Sequence, residues 1–229
     1  MSVLTGPEIH RLVNVGRGFK LHGDDPPLPR LSIEPFDPKL CGPNSYDVHL
    51  GDKLKLYVVQ SAAKSHPELF REYSNLYAPT AAEFNDLPYG IDCARKSDTI
   101  TTVIPKEGAW LHPGVLYLGT TMERTSCEGI VPYIDGRSSI GRCGLFVHVT
   151  AGRGDDAWGA DTETGKRWTL EIMCPAHPVK VYPGMRLAQL TFLTLTGDRS
   201  PYHGRYGADD DGMPVETRIW QDFQKDGVK

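Results

Sequence analysis

Residues 167–195 read RWTLEIMCPAHPVKVYPGMRLAQLTFLTL. Three apolar, partly β-branched runs stand here, RWTLEIM, VKV and MRLAQLTFLTL. They are separated by Cys-Pro and by Tyr-Pro-Gly. Proline donates no ladder hydrogen bond and glycine reverses a chain cheaply, so each break predicts a turn and each run a strand. The same texture extends back to residue 99: TITTVIP (99–105), AWLHPGVLYLGTTM (109–122), EGIVPYI (128–134) and GLFVHVTA (144–151). Runs recurring at about ten residues predict an all-β sandwich or barrel.

Outward from this block the chain is less regular. YDVHLGDKLKLYVV (46–59) alternates like a strand, with a break at Gly51. A short helix is predicted within residues 1–20, with Thr5 as N-cap and Ile9, Leu12 and Val13 on one face. Residues 21–45 are proline-rich and read as extended loop and edge. Residues 60–98 read as an insertion on the surface of the same domain. From about Ser200 the tail is polar and rich in Gly and Asp, and mobility is expected until something orders it. One domain over 1–229 is therefore expected.

Composition narrows the function. The chain has 229 residues, a formal net charge of −4, 39% hydrophobic and 24% charged residues. A generic nucleic-acid surface would be basic, and a polybasic membrane patch is missing, so neither partner is expected. No run of 18 apolar residues and no signal-peptide pattern occurs. The five cysteines are odd in number, widely spaced and without a CxxC. They read as reduced thiols in a cytoplasmic protein.

Two stretches carry chemistry. In DGRSSIGRCGL (135–145), Asp135-Gly136 predicts a turn and Ser138 or Ser139 a helix cap. Ser138 and Arg142 then stand four residues apart on one face. Backbone N–H groups at such a start, flanked by Arg137 and Arg142, would cradle a phosphate; a plain capped helix with two surface arginines reads equally well. In RWTLEIM, strand alternation sends Trp168, Leu170 and Ile172 one way and Thr169, Glu171 and Met173 the other. Glu171 is then either a carboxylate on a wet sheet face or one held for a purpose. Zinc deaminase signatures are incomplete. His66-Pro67-Glu68 has no PCxxC partner, and Cys174 with His177 supplies only two ligands.

The ordered set DGRSSIGRCGLFVHVTAG, TLEI, VYPGMRLAQLTF, a PY pair and a terminal RIWQDF resembles the deoxycytidine triphosphate deaminase family of the trimeric dUTPase superfamily. PNSYDVHLG (43–51) and LHPGVLYLGTTMER (111–124) are similar to that family's early strands. The resemblance implies a jelly-roll-like, distorted β-barrel of the dUTPase type with a few short helices. It also implies a hydrolase acting on a cyclic amidine C–N bond: dCTP to dUTP and ammonia, without zinc, for pyrimidine deoxynucleotide metabolism.

By the same resemblance Glu171, Ser138 and Arg142 are catalytic. Arg137, Ser139 and the backbone at Ile140 and Gly141 would hold phosphate oxygens. The main chain at Thr169 and Leu170 would read the base, Asp155 the deoxyribose, and Tyr202 and Arg205 the phosphate tail. Mg2+ would arrive on the nucleotide phosphates rather than on protein ligands. A homotrimer would place Arg137 to Arg142 and Glu171 of different chains in one site.

The chain departs from the family pattern at Gly154-Asp155-Asp156-Ala157-Trp158, where Asp156 rivals Asp155. It departs again at the polar loop ADTETGK (160–166), which lengthens a hairpin, and in the acidic run Asp209 to Asp211. Three alternatives therefore stand beside the main reading. One is a bifunctional enzyme that carries dCTP on to dUMP and pyrophosphate. Another is a deaminase of dCMP or a modified cytosine nucleotide. The third is a catalytically silent nucleotide-binding regulator.

Overall fold

The computed structural model describes residues 2–16, 29–57, 91–147, 151–202, 206 and 212–225. Most of the 60–98 insertion, His148 and Arg205 lie outside the described residues. The strands are β1 (Arg30–Glu34), β2 (Tyr46–Tyr57), β3 (Thr99–Val103), β4 (Ala109–Leu111), β5 (Tyr117–Thr121), β6 (Arg124–Glu128), β7 (Ile130–Gly136), β8 (Phe146–Val147), β9 (Thr169–Met173), β10 (Val179–Val181) and β11 (Arg186–Thr194). Three helices accompany them: α1 (Gly6–Gly16), α2 (Ser138–Gly141) and α3 (Trp220–Lys225).

The main sheet runs β7-β11-β2-β5-β9-β8, with β3 added beside the second half of β2. Its outer members β7 and β8 approach one another, so the sheet is nearly closed, and two ribbons, β1-β6 and β4-β10, complete the wall. The mostly-β, barrel-like class expected from the sequence is the class observed. No helix among the described residues is long and apolar enough to cross a membrane.

Strand alternation builds the core. Leu170 and Ile172 of β9, Leu190 and Phe192 of β11, and Tyr46, Val48 and Leu50 of β2 all face inward and are buried. Burying each such side chain contributes roughly 1.5–3 kcal/mol. Helix α1 closes one side with Ile9, Leu12 and Val13, the face read from the sequence, and Thr5 Oγ1 accepts the Glu8 N–H at 3.4 Å. Gly51 marks the break foreseen in β2. Register against β5 shifts between Leu50 and Leu54, and a Cβ at Gly51 would lie 2.7 Å from Thr120 Oγ1.

Two local expectations are corrected. Asp135 and Gly136 do not turn; both stay in β7, opposite Gln189 and Ala188 of β11. Neither serine caps α2. Arg137 occupies the N-cap with no side-chain bond, and Ser138 and Ser139 are the first helical residues. The physical reason is that β11 offers ladder partners through Gly136, so the reversal is pushed beyond the glycine.

The sheet also has a second, outward patch. Tyr57 and Leu118 are buried yet stand apart from the main core cluster. Register puts Lys55, Leu118 and Glu171 opposite one another on β2, β5 and β9, so their side chains share one outer face.

Candidate active site

Glu171 sits mid-strand in β9, directly opposite Leu118, half-buried on that outer face. Its inward neighbours Leu170 and Ile172 are fully buried, which fixes its direction. The described part of the tail lies across this face. Val215 N donates to Thr169 Oγ1 at 3.1 Å, Thr217 N donates to the Tyr57 hydroxyl at 3.0 Å, and Lys55 Nζ pairs with Glu216 at 2.5 Å. Arg218 N adds a bond to the Tyr206 hydroxyl at 3.0 Å. Burial pushes the Tyr57 phenol up, and the nearby carboxylates of Glu216 and Glu171 add to the shift. Residues 212–218 thus form a strap over the surface that carries Glu171 and Thr169.

The α2 turn is a contrasting environment. Ser138, Ser139, Gly141 and Arg142 are exposed, while Ile140 packs against the core and anchors the turn. Arg142 N donates to Ser138 O at 3.1 Å, which brings these two residues onto one turn as expected. Arg137 is drawn back toward the sheet. Its Nε donates to Asp47 Oδ1 at 3.0 Å, and Arg186 approaches the other oxygen of Asp47 at 3.4 Å.

A cavity of about 480 Å3 opens beside the lengthened hairpin, lined by Arg153, Asp155, Trp158, Lys166, Tyr202 and Tyr206 among others. Its two arms are pinned to β6: Cys127 N donates to Trp158 O, and Thr125 and Lys166 exchange both backbone bonds. The Trp158 and Trp168 rings stack at 4.1 Å between the arms. Ala157, a non-glycine residue in this wall, has φ 68°, a conformation found mainly where surrounding contacts enforce it.

The adjacent aspartates part company here. Asp156 is buried and accepts from Arg199 Nε at 2.8 Å, Arg199 Nη2 at 3.0 Å and Gly129 N at 2.8 Å, while its carbonyl takes the Tyr202 N–H at 3.1 Å. Burial pushes its carboxyl up, but Arg199 and the Gly129 N–H outweigh burial and hold it below the usual carboxylate range. Asp155 is exposed and lines the cavity. Asp156 is a structural strut, whereas the exposed Asp155 lies in the cavity wall.

Known proteins similar to this chain point one way. The dCTP deaminase-like family matches residues 26–195. The "dCTP deaminase, dUMP-forming" of Leptospira biflexa serovar Patoc is 35% identical over 224 residues, 97% of this chain and 99% of that protein. The chain belongs to the dCTP deaminase-like family. A second relative in this family, "dCTP deaminase, dUMP-forming" of Cytophaga hutchinsonii, is 36% identical over 196 residues, 85% of this chain and 91% of its own. The 2'-deoxycytidine 5'-triphosphate deaminase from Agrobacterium tumefaciens is 19% identical. It covers 84% of this chain and 47% of its own, with a TM-score of 0.49.

Against the family's pattern, the structure brings Asp155 and Tyr202 to one cavity and puts Glu171 and Thr169 on one sheet face. The α2 residues Ser138 and Arg142 line neither the cavity nor the strap. Sequence reasoning missed Lys166, Lys55 and Glu216. Lys55 and Glu216 meet across 161 residues, a separation that no local pattern reports.

Proposed function

We propose that this protein deaminates dCTP at ring carbon 4 and carries the product on to dUMP and pyrophosphate. The observation that carries this reading is likeness over nearly the full length to relatives named dUMP-forming. Of the products left open by the sequence, dUMP is therefore better supported than dUTP.

In this reading Glu171 takes a proton from water, the oxygen bonds to carbon 4, and the same carboxyl returns the proton as ammonia leaves. The half-buried strand position supports that role, because flanking core residues hold the carboxyl without removing it from solvent. Thr169 and Leu170 read the base through the main chain. Ser138 holds the water or the leaving amine and Arg142 places charge near Glu171 and the base, while Arg137, Ser139, Ile140 and Gly141 contact phosphate oxygens. These come from a neighbouring subunit of a homotrimer. The exposure of α2 in the single chain supports that arrangement, since its polar side chains are left facing outward.

Asp155 addresses the deoxyribose and orients the second water, and Tyr202 and Arg205 attend the phosphate tail. Among the described residues no three His, Cys, Asp or Glu side chains converge as metal ligands. Mg2+ enters this reading on the phosphates, where it offsets part of their charge.

The test is direct. The protein is incubated with dCTP and Mg2+, and ammonia, dUTP, dUMP and pyrophosphate are followed. Ammonia with dUMP is expected, and ammonia release at least about 100-fold lower in Glu171→Gln. Full activity in that variant, or no turnover by the parent, would overturn the reading. Light scattering that shows a monomer at assay concentration would remove the shared site.

A further inference from the structure

Asp47 stands on β2 between the buried Tyr46 and Val48, so strand alternation sends its carboxyl outward. There one oxygen accepts from Arg137 Nε at 3.0 Å and the other from Arg186 Nη1 at 3.4 Å. Among the described residues these two guanidinium groups are its partners, and no backbone N–H reaches it. The carboxyl therefore caps no helix and closes no turn. A partly buried ion pair returns little more than its own desolvation cost, so stability alone is a poor reason to keep one here.

The geometry at Arg137 supplies a better reason. Arg137 is the N-cap of α2, yet its side chain makes no bond to the turn. Asp47, 90 residues earlier in the chain, is what holds it. A guanidinium donates along two edges, one through Nε and one through the two terminal nitrogens. Asp47 takes the Nε, and among the described residues neither Nη of Arg137 has an acceptor. The edge left over is the forked one, which suits two oxygens of a phosphate.

Charge is left over as well. Arg186 shares Asp47, so two guanidinium groups face one carboxylate. Gln189 of β11 separates Asp47 from Asp135 on β7, and Asp135 Oδ1 accepts from its neighbour Gly136 N at 3.1 Å. Arg142 adds an exposed cation on the turn itself. The surface around α2 thus sets Arg137, Arg142 and Arg186 against Asp47 and Asp135.

We propose that Asp47 is a positioning residue: it holds Arg137 by Nε so that the Nη edge is presented to the nucleotide phosphates. Arg186 offsets the Asp47 charge, so Arg137 keeps its own for the ligand. This rests on the phosphate contact of Arg137 proposed above. An arginine already held in one arrangement gives up less rotamer freedom when the ligand arrives.

The experiment reads binding and turnover separately. dCTP with Mg2+ is titrated calorimetrically into the parent, Asp47→Ala, Arg137→Ala and the double variant, and ammonia release is followed over a range of dCTP. Asp47→Ala is expected to weaken dCTP binding about tenfold, the effect of one charge-assisted hydrogen bond, and to raise KM alike with kcat within about twofold of the parent. In the Arg137→Ala background the same change should alter affinity by less than about twofold, because its route to the ligand runs through Arg137. Asp47→Asn keeps an oxygen for the Nε–H and should recover affinity to within about threefold of the parent.

An aspartate that only stabilised the fold would weaken binding equally in both backgrounds. That result, unchanged affinity in Asp47→Ala, a fall confined to kcat, or no recovery in Asp47→Asn overturns the proposal. So does an Arg137→Ala variant that binds dCTP as tightly as the parent, or a parent that does not bind it. If the parent binds dCTP but releases no ammonia, the deaminase reading alone fails, and the binding cycle still decides the role of Asp47. Asp47→Ser, measured beside thermal melts, replaces the alanine variant should that one fold poorly.

Discussion

Asp155 and Glu171 stand in regions built on different rules. Glu171 belongs to a regular strand: two fully buried neighbours and a paired Leu118 leave its side chain one direction. Asp155 belongs to a hairpin whose course is set by one left-handed alanine, a pair of stacked tryptophans and backbone bonds to β6. A strand residue is aimed by period alone. A loop residue is aimed by everything its loop touches, so loop function needs struts such as Asp156.

The largest effect is expected at the strand. Glu171→Gln should lower ammonia release from dCTP by about 10²–10⁴-fold, the range for losing a general acid–base group. It should leave the melting temperature nearly unchanged. Activity within tenfold of the parent would break the assignment of the strand carboxylate.

At the hairpin the two aspartates should respond oppositely. Asp156→Ala leaves Arg199 without its main partner and should cost about 3–5 kcal/mol in denaturant unfolding. Asp155→Ala should stay within about 0.5 kcal/mol of the parent in the same assay, yet lose dUMP formation. Equal destabilisation by both would show that the distinction between strut and ligand group is wrong.

The strap offers a smaller test. Glu216→Gln removes the charge from a half-buried pair with Lys55 and should cost about 1 kcal/mol. Its signature is faster amide hydrogen exchange at Val215 and Thr217, whose N–H groups are bonded to Thr169 and Tyr57. Unchanged exchange would mean the strap is held by its backbone bonds alone.

The smallest effect concerns pH. The Asp156 carboxyl is held below its ordinary value in the folded state, so its stabilisation is complete above the unfolded value, near 4. It is lost as pH falls through the lower folded value. Asp156→Asn should therefore show a flatter loss of stability below about pH 4 than the parent. Parallel acid limbs would show that other carboxylates dominate there.

Much of this was legible beforehand. Period-two alternation told which side chains of β9 and β11 enter the core, and the spacing of Gly and Pro marked the strand ends. The α1 face, the Gly51 break and the outward course of Glu171 follow from the same signals. The signal failed where a partner strand overrode local preference: Asp135-Gly136 has turn chemistry, but β11 keeps both in the ladder. It failed again for the serine cap, since the shifted helix start left Arg137 in the cap position.

The sequence by itself determined a β-rich fold, the side of the sheet on which Glu171 lies, and the family to which the motifs are similar. These are properties of near neighbours in the chain, where backbone geometry repeats every two residues. The tertiary structure alone decided that Asp156 binds Arg199 while Asp155 faces a cavity, that Glu216 reaches Lys55, and that Lys166 is buried beside the same cavity. Each of those depends on groups far apart in the chain meeting at a few ångströms, and burial and charge act through distance in space rather than through position in sequence.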